Sequence, residues 1–540
     1  FFLYQKLTSM DQELETSIGI QKEIIHPINH SIKTVAIIGC SHAGTLCAIN
    51  LRHNDPTVRI LVFEQNSEIS FLQCGIHLAI NKTCTDQTKM FYNSPQNLRK
   101  MNIEIYTASV VDSMDFKNQF VNALVHGERK QFQYSKAILA CGSAPIIPPI
   151  IENIDYTKDT QKQLRQLKRI LLCKNYSDSL RLAKLYQPKK VCIIGAGLIG
   201  MELAWSFSEV GSKVTVIDHG SRILQKYFDD EYTTILTDSC KDFKIEVIDT
   251  ARVCKISESE VEVTIVIEQQ LKSQVKTSQM QFDYLVLAAG FRPNTNFVRN
   301  HLKNVKNVIV TNQQQQTSIQ NVYAIGDCST TVSKLKGQKV YIPLTTVAMR
   351  QGLIASFDIA GVKLPNPGIN GTTAIQIFDY SMASTGLQLE EAKQISDKMS
   401  KVIYSDYLYH RYCNKKVQKV VQKESLNKEF DLYGDIVRRL ADQVVDSFEI
   451  DFEDQEDQIV SINIVFDMKT GRIYGNQSMG KQDITQQTNA ISTAISQGMT
   501  IDEIAQIDFG GYCGEEKPWN ALAVAAASKD LATVDFEYEE

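Results

Sequence analysis

A glycine-rich turn between a buried strand and a helix constrains the fold of this chain more than any other feature. The segment VCIIGAGLIG at 191–200 carries Gly195, Gly197 and Gly200, which form the pattern GxGxxG. In this pattern the first glycine permits a tight turn, the second lets backbone N–H groups approach a pyrophosphate, and the third lets helix pack on strand. The next strand, VTVID, ends in Asp218, where an acid binds an adenosine ribose. The spacing predicts a dinucleotide-binding βαβ unit.

The acid that ends this unit also predicts which coenzyme binds. Asp218 would accept hydrogen bonds from the ribose 2′-hydroxyl and would repel a 2′-phosphate, which favours NADH over NADPH. His219 and Arg222 follow closely, so a weaker use of NADPH stays open. The alternative is a purely structural glycine turn, but that does not account for the acid at the strand end.

A second unit of this kind lies near the start of the chain. The run TVAIIGCSHAG at 34–44 is again a buried strand and a glycine loop, with Ser41 at the middle glycine position, and the following strand ends in Glu64. Far downstream, VYAIGD ends in Gly326 and Asp327, the kind of pair that flavoproteins use for the ribityl chain and pyrophosphate. Two dinucleotide sites, one of them closed by this pair, predict FAD together with a nicotinamide donor.

The order of these elements predicts an α/β chain of three units. Buried parallel strands that alternate with helices indicate two Rossmann-like domains. A length of 540 residues exceeds a single core, because domains hold roughly 100–200 residues. We predict a loose tail at 1–30, an FAD domain at 31–150 and 281–360, an NAD domain inserted at 151–280, and a C-terminal α+β domain at 361–540 with an insertion at about 411–457 that is either a surface insertion or a docking element.

Composition excludes several classes of function. A formal net charge of −5 leaves no basic excess for nucleic acid or an anionic membrane, and no run of about 18 apolar residues occurs. The 12 cysteines include no CxxC pair, so neither a zinc site nor a disulfide framework is expected. The N-terminal segment lacks the apolar core and cleavage site of a signal peptide. These features favour a cytoplasmic protein with no metal and no nucleic-acid or membrane partner.

Motifs along the chain resemble one family of flavoenzymes. They are GCSHAGT (39–45), ISFLQCGIHL (69–78), LLCKNYSDSLRL (171–182), GAGLIGMELA (195–204), GFRPNT (290–295), YAIGD (323–327), MASTG (382–386), MTIDEIA (499–505) and KPWN (517–520). In this order they are similar to the pyridine nucleotide-disulfide oxidoreductases, and within that class to the NADH oxidase and NADH peroxidase branch. The resemblance implies FAD, NADH and a homodimer formed through the C-terminal domain.

The resemblance assigns the redox chemistry to Cys74. In the family, the cysteine of the SFLxCG segment cycles between thiolate and sulfenic acid beside the flavin, and the histidine of the first loop, here His42, hydrogen-bonds to it. The residues agree, because Cys74 precedes Gly75 at a loop-to-helix start, where the helix dipole favours a thiolate. Dithiol reductases of the wider class carry a second cysteine shortly afterwards, where this chain has Ala79. A single-cysteine cycle is predicted, the alternative being an inert packing cysteine.

The resemblance also implies the remaining cofactor contacts. Those of FAD are Gly39, Ser41, His42, Ala43, Gly44, Glu64, Cys74, Ala140, Gly142, Ser143, Lys174, Asp327, Thr345 and Thr346. Those of the nicotinamide nucleotide are Gly195, Gly197, Ile199, Gly200, Glu202, Asp218, Tyr227 and Gly290. His77, one helical turn beyond Cys74, has no role in this scheme.

The predicted reaction is that of an NADH oxidase. NADH would reduce the flavin, O2 would be reduced to peroxide, and the Cys74 thiolate would cleave the peroxide to give water and a sulfenate that a second NADH reduces. Three alternatives stay open: an NADH peroxidase that takes H2O2 directly, a coenzyme A-disulfide reductase, and a redox-sensing or binding protein with little turnover. Gly510 and Gly511 replace an aromatic stretch of the family, which bears on the choice of oxidant.

Overall fold

The computed structural model describes residues 34–185, 189–271, 274–407, 459–510 and 520–529. The predicted tail at 1–30, the insertion at about 411–457 and most of the KPWN motif lie outside these ranges. Within the described ranges, no helix has both the length and the apolar character needed to cross a membrane.

The first sheet is parallel throughout and contains the first βαβ unit. Apolar residues fill its strands on both faces, so each face must be covered. Helices His42–Asn54 and Thr345–Ile359 pack together on one face, and an antiparallel sheet of Ser109–Asp115, Phe120–Val125 and Glu128–Gln133 covers the other. In spatial order the five strands are Val322–Ala324, Lys136–Leu139, Thr34–Ile38, Arg59–Phe63 and Glu104–Tyr106.

The second sheet is also parallel and contains the second βαβ unit. Helices Leu198–Glu209 and Asp230–Asp242 cover one face, and an antiparallel sheet of Ala251–Glu258, Val263–Leu271 and Gln274–Phe282 covers the other. In spatial order its strands are Ile245–Ile248, Lys213–Ile217, Lys190–Ile194, Tyr284–Leu287 and Ile170–Leu172.

One predicted boundary is corrected by this pairing. With a boundary at 280/281, the sequence assigned Tyr284–Leu287 to the first unit, but this strand pairs with Lys190–Ile194 and Ile170–Leu172. The residues of a buried apolar strand do not indicate which sheet it joins. The assignment therefore rested on its position along the chain, which pointed to the wrong sheet. The chain crosses between the two units afterwards, where Phe291–Pro293 pairs with Ser143–Pro145. The other boundaries stay predictions.

The C-terminal unit is a five-stranded antiparallel sheet with helices on one face, which confirms the predicted α+β character. Helices Thr485–Gln497, Ile501–Ala505 and Ala521–Ala527 share its apolar core. Its other side meets the second unit, where the hydroxyl of Tyr232 donates to the carbonyl oxygen of Gln477 at 3.1 Å. In spatial order the strands are Thr373–Ile377, Tyr380–Gly386, Ile473–Gly480, Ile459–Asp467 and Met399–Tyr407.

Short elements complete the described chain. The brief helices are Ile76–Ile80, Pro95–Lys100, Thr160–Leu164, Tyr176–Leu182 and Leu389–Lys393, and the single 3-10 turns are Gln73–Gly75, Gln87–Met90 and Gly326–Cys328. Two small hairpins join Asn304–Val305 to Val308–Ile309 and Thr331–Val332 to Lys339–Val340.

Candidate active site

Both glycine loops lie at the carboxyl edges of their sheets and need glycine for the same steric reasons. Gly39 and Gly195 have φ values of +103° and +112°, and a Cβ on either would lie 2.2 or 2.4 Å from a backbone carbonyl oxygen of the neighbouring strand connection. A Cβ on Gly44 or Gly200 would lie 2.0 or 1.8 Å from the carbonyl oxygen of the first glycine in its own loop. Glycine at these positions therefore lets each helix begin directly against its strand.

The acid after each second strand holds its glycine loop in the same way. The backbone N–H of Cys40 donates to Oε2 of Glu64 at 2.9 Å, and that of Ala196 donates to Oδ2 of Asp218 at 2.6 Å. Glu64 is buried, and burial raises its pKa while hydrogen bonds from Asn66 oppose the rise. Each acid thus lies beside the turn where the predicted ribose would bind.

The side chains of Ser143, Lys174 and Asp327 form a compact charged cluster near the first loop. The hydroxyl of Ser143 donates to Oδ2 of Asp327 at 2.7 Å, and Nζ of Lys174 donates to Ser143 at 3.1 Å and lies 3.7 Å from Asp327. Burial lowers the pKa of Lys174, and the carboxylate of Asp327 opposes that shift. Lys174 follows a strand of the second sheet, so this cluster joins residues from both units.

The two helices that follow the glycine loops, and a third helix beside the first loop, leave their first backbone N–H groups available. Helices His42–Asn54, Leu198–Glu209 and Thr345–Ile359 have neither a side-chain cap nor an acidic residue in the first turn. Such helix ends attract phosphate groups. A Cβ on Gly197 would meet nothing within 4 Å, and the buried hydroxyl of Tyr341, whose pKa is raised by burial and by Asp327, has no hydrogen-bond partner within the described residues. These features fit two dinucleotides.

Cys74 lies in the 3-10 turn Gln73–Gly75 between the two loops. It is exposed, and its neighbour Gln73 donates from Nε2 to the hydroxyl of Ser41 at 3.4 Å, which ties this turn to the first loop. The pKa of Cys74 is raised by desolvation around its sulfur and then by the carboxyl of Glu202. The helix that follows, Ile76–Ile80, is short, and the thiolate stabilisation predicted from its dipole stays a prediction.

Comparison with known proteins decides the family. Residues 33–352 match the pyridine nucleotide-disulphide oxidoreductase family. The chain belongs to this family. It is 30% identical over 496 residues to an NADH oxidase of Streptococcus pyogenes, covering 91% of this chain and 98% of that protein. The match to an NAD(P)H coenzyme A polysulfide/persulfide reductase of Pyrococcus horikoshii is 28% over 387 residues, 70% of this chain and 82% of that one.

A solved structure gives the same assignment. The water-forming NADH oxidase of Lactobacillus brevis, bound to NADH, superposes with a TM-score of 0.76 at 27% identity, covering 93% of this chain and 99% of that one. The predicted fold class and the recognised family are thereby confirmed, and the enzyme is an oxidoreductase whose cofactors are FAD and a nicotinamide nucleotide.

The predicted FAD residues of this oxidoreductase converge on the edge of the first sheet. Ala43 packs against both Gly326 and Gly352, which holds the first loop against the turn Gly326–Cys328 and the helix Thr345–Ile359. Thr345 and Thr346 form the first turn of that helix, and Ala140, Gly142 and Ser143 follow the strand Lys136–Leu139 beside Gly39. The structure brings these predicted residues together, although their individual roles stay predictions.

His42 has a neighbour that the sequence did not indicate. Its ring stacks on Tyr92 with a centroid separation of 5.0 Å and an interplanar angle of 8°. Burial lowers the pKa of His42, so the neutral imidazole is favoured, while Asp327 opposes that shift. No hydrogen bond joins His42 to Cys74 within the described part of the chain, and the predicted partnership stays a prediction. Tyr92 has no local sequence pattern that would have marked it.

His77, to which the sequence assigned no role, lies between the Cys74 turn and the helix that carries Glu202. Its Nδ1 donates to the carbonyl oxygen of Cys74 at 3.0 Å and lies 3.8 Å from Oε2 of Glu202. The three-residue spacing from Cys74 was the available signal. Glu202 lies on the helix Leu198–Glu209, so a predicted nicotinamide contact lies beside the predicted redox cysteine.

The other predicted nicotinamide residues lie around the second sheet. Ile199 and Gly200 lie in the first turn of Leu198–Glu209, Gly290 follows Tyr284–Leu287 with φ +98°, and Tyr227 is half-buried near that helix. Arg222, a possible phosphate ligand from sequence, is held by Asp230 at 2.6 Å and Thr233 at 2.8 Å. Its guanidinium is therefore already paired.

Proposed function

We propose that this enzyme is an NADH oxidase that reduces O2 to water, with FAD as the bound cofactor and Cys74 as the thiol that cleaves the O–O bond. The observation that carries the proposal is the exposure of Cys74 at the junction of two dinucleotide-binding units, with Ala79 where a dithiol reductase has a second cysteine. The names of the streptococcal and Lactobacillus relatives support the choice of donor and product.

In this proposal the polypeptide holds and orients the cofactors. Glu64 binds the FAD ribose, and Asp327 with Ser143 binds the ribityl and pyrophosphate region. When bound, FAD accepts a hydride from NADH and passes two electrons onward. The Cys74 thiolate then attacks one oxygen of hydrogen peroxide: the S–O bond forms, the O–O bond breaks, and Cys–S⁻ and H2O2 become Cys–SO⁻ and H2O.

We propose NADH as the preferred donor. The carboxyl oxygens of Asp218 accept hydrogen bonds from the backbone N–H groups of Ala196 and Gly220 at 2.6 and 2.7 Å, which hold the side chain beside the proposed ribose position. A 2′-phosphate there would meet a like charge, and Arg222 is already paired with Asp230. NADPH use would require His219, whose side chain is 90% exposed.

A second candidate function is reduction of coenzyme A disulfide or persulfide. The exposure of Cys74 suits attack on a bulky disulfide, and the Pyrococcus relative is named for such a reaction. NADH peroxidase and a redox sensor remain further alternatives. We also propose a homodimer, from the family resemblance, and a cytoplasmic location, from cysteines that form no disulfide framework; light scattering and fractionation would check the two.

The test measures the product of O2 reduction in Cys74→Ser and in a control, Cys84→Ser, which removes a thiol that donates to the carbonyl of Asp86. We expect Cys74→Ser to bind FAD and consume O2 but to release nearly stoichiometric H2O2, while the parent and Cys84→Ser release mostly water. Dimedone should label Cys74 after one turnover. Water formation by Cys74→Ser would overturn the single-cysteine mechanism.

A companion experiment separates the oxidants. The enzyme is reduced anaerobically with NADH, and O2, H2O2 and coenzyme A disulfide are then added to separate samples. Fast reoxidation by O2 supports the oxidase, a response to H2O2 alone supports the peroxidase, and a response to coenzyme A disulfide supports the second candidate. Negligible turnover with all three would favour the redox sensor.

A further inference from the structure

The carboxyl of Glu202 lies next to the cysteine segment with little polar compensation. Its side chain is only 18% exposed, and no hydrogen bond reaches its oxygens within the described residues. The imidazole of His77, itself 15% exposed, lies between this carboxyl and the backbone carbonyl of Cys74. Helices Ile76–Ile80 and Leu198–Glu209 pack against each other and fix the arrangement. A carboxyl in such a setting favours its neutral form.

The predicted cycle needs a proton at Cys74. When the sulfenate is reduced, two electrons from NADH enter at sulfur through the flavin, the S–O bond breaks, and the oxygen leaves as water. The balance is Cys–SO⁻ + 2e⁻ + 2H⁺ → Cys–S⁻ + H2O, so the oxygen must receive two protons. His42 is stacked on Tyr92, and its pKa is lowered, which makes it a poor acid at neutral pH.

We propose that Glu202, in its carboxylic acid form, donates one of these protons to the departing oxygen, and that His77 positions the Cys74 segment against it. The proposal rests on the proposed function, because it requires a sulfenate at Cys74. Burial raises the pKa of Glu202 to about 8, so the acid holds its proton at neutral pH. A general acid works best when its pKa lies near the working pH.

The pH dependence involves few other groups. Within the described residues, the titratable side chains on which the charge of Glu202 acts are the thiols of Cys74 and Cys173. Burial raises the pKa of Cys173 well above that of a free thiol, so it stays neutral. Directly after the first of these two helices, Nδ2 of Asn81 donates to Oε2 of Glu209 at the end of the second at 2.7 Å. This contact links the helices without facing Cys74 and provides a matched control.

The test follows sulfenate reduction directly. The holoenzyme is oxidised with one equivalent of H2O2 and mixed anaerobically with NADH, and the remaining Cys74 sulfenate is trapped with dimedone and measured by mass spectrometry from pH 6 to 10. In the parent, the rate should fall above pH about 8 as Glu202 loses its proton. Glu202→Gln should be about 100-fold slower, the scale of one general acid, and should lack that inflection.

Two further variants separate proton donation by Glu202 from the positioning role of His77. His77→Gln should be slower but should keep the inflection, whereas Asn81→Ala should match the parent in both respects. The rate at which iodoacetamide alkylates reduced Cys74, followed over pH, gives the pKa of the thiol as a second measurement. This pKa should be lower in Glu202→Gln than in the parent, because the variant lacks the carboxylate charge that the parent carries above pH 8.

Two results would count against the idea in different ways. If the parent forms no dimedone adduct at Cys74, the proposed function fails and the proton donor fails with it. If the adduct forms and Glu202→Gln reduces it at the parent rate with the same pH profile, only the acid role of Glu202 is overturned. A loss shared equally by Asn81→Ala would show that helix packing, not proton transfer, limits the step.

Discussion

The two glycine loops have the same backbone framework but differ at their middle position. In both, the first glycine has a positive φ, and a Cβ atom added to the third would lie within 2.0 Å of a carbonyl oxygen. The middle residues, Ser41 and Gly197, have ordinary φ values of −95° and −79°. The fold therefore demands glycine at two positions of the motif, and only a ligand can demand it at the third.

The serine gives the first loop a contact that the second lacks. Ser41 accepts a hydrogen bond from Gln73, the residue before Cys74, while a Cβ on Gly197 would point into open space. The first loop thus joins cofactor binding to the cysteine turn, and the second keeps its backbone clear for a coenzyme that comes and goes. This difference makes the loops separable by mutation.

The largest effect is expected from the third glycine. In Gly200→Ala the new Cβ overlaps the carbonyl oxygen of Gly195, so the helix must shift, and NADH-dependent flavin reduction should fall by about 100-fold or more while FAD stays bound. Gly44→Ala should instead lose FAD. Stopped-flow reduction and flavin content check this, with Gly197→Ala as a control that folds normally. Equal loss of FAD in both variants would contradict separate sites.

The acids Glu64 and Asp218 should likewise affect different cofactors, and Asp218 gives the sharper test. Asp218→Ala should narrow a preference for NADH over NADPH that we expect to be about 10- to 1000-fold in kcat/KM, because one like-charge contact and its hydrogen bonds are removed. Steady-state kinetics with both coenzymes measure the ratio. Equal use of both by the parent would remove the basis for the NADH assignment, and flavin content should not change in the variant.

A smaller effect concerns stability against pH. Burial raises the pKa of Glu202 from 4.5 to about 8, so its contribution is complete below pH about 4.5 and is lost as pH rises through 8. Glu202→Gln does not titrate and should become more stable than the parent by about 1–3 kcal/mol above pH 8, after allowance for partial exposure. Thermal unfolding from pH 5 to 9 tests the sign, and a constant difference across that range would refute it.

The smallest effect is expected at the middle position of the first loop. Ser41→Ala removes the hydrogen bond with Gln73 and should cost about 0.5–1 kcal/mol, while FAD should stay bound because the other predicted FAD contacts are intact. Denaturant unfolding of the holoenzyme measures the cost. Loss of flavin from this variant would show that the predicted FAD contact of Ser41 is indispensable, in which case the middle residues of both loops serve their cofactors.

Much of the architecture could be predicted from local patterns. Strand, glycine turn, helix and terminal acid recur at 34–64 and 191–218, and the structure confirms the fold class that this repetition predicted. The strand Tyr284–Leu287 was assigned to the wrong unit, because the sheet that a buried strand joins depends on pairing across the chain rather than on its own residues. Sequence reasoning therefore succeeded where the determinant was local.

The candidate site shows the same distinction between features set by neighbours in the chain and features set by packing. The sequence by itself determined the two glycine loops and the acids Glu64 and Asp218, since each follows from spacing and steric need within a few residues, and the family resemblance of the segment around it pointed to Cys74. Only the tertiary structure decided what surrounds Cys74: His77 against its carbonyl, Glu202 from the other unit, and Tyr92 on the ring of His42. The physical reason is that desolvation and charge act through space, so a pKa is set by the residues that packing brings near and not by the neighbours in the chain.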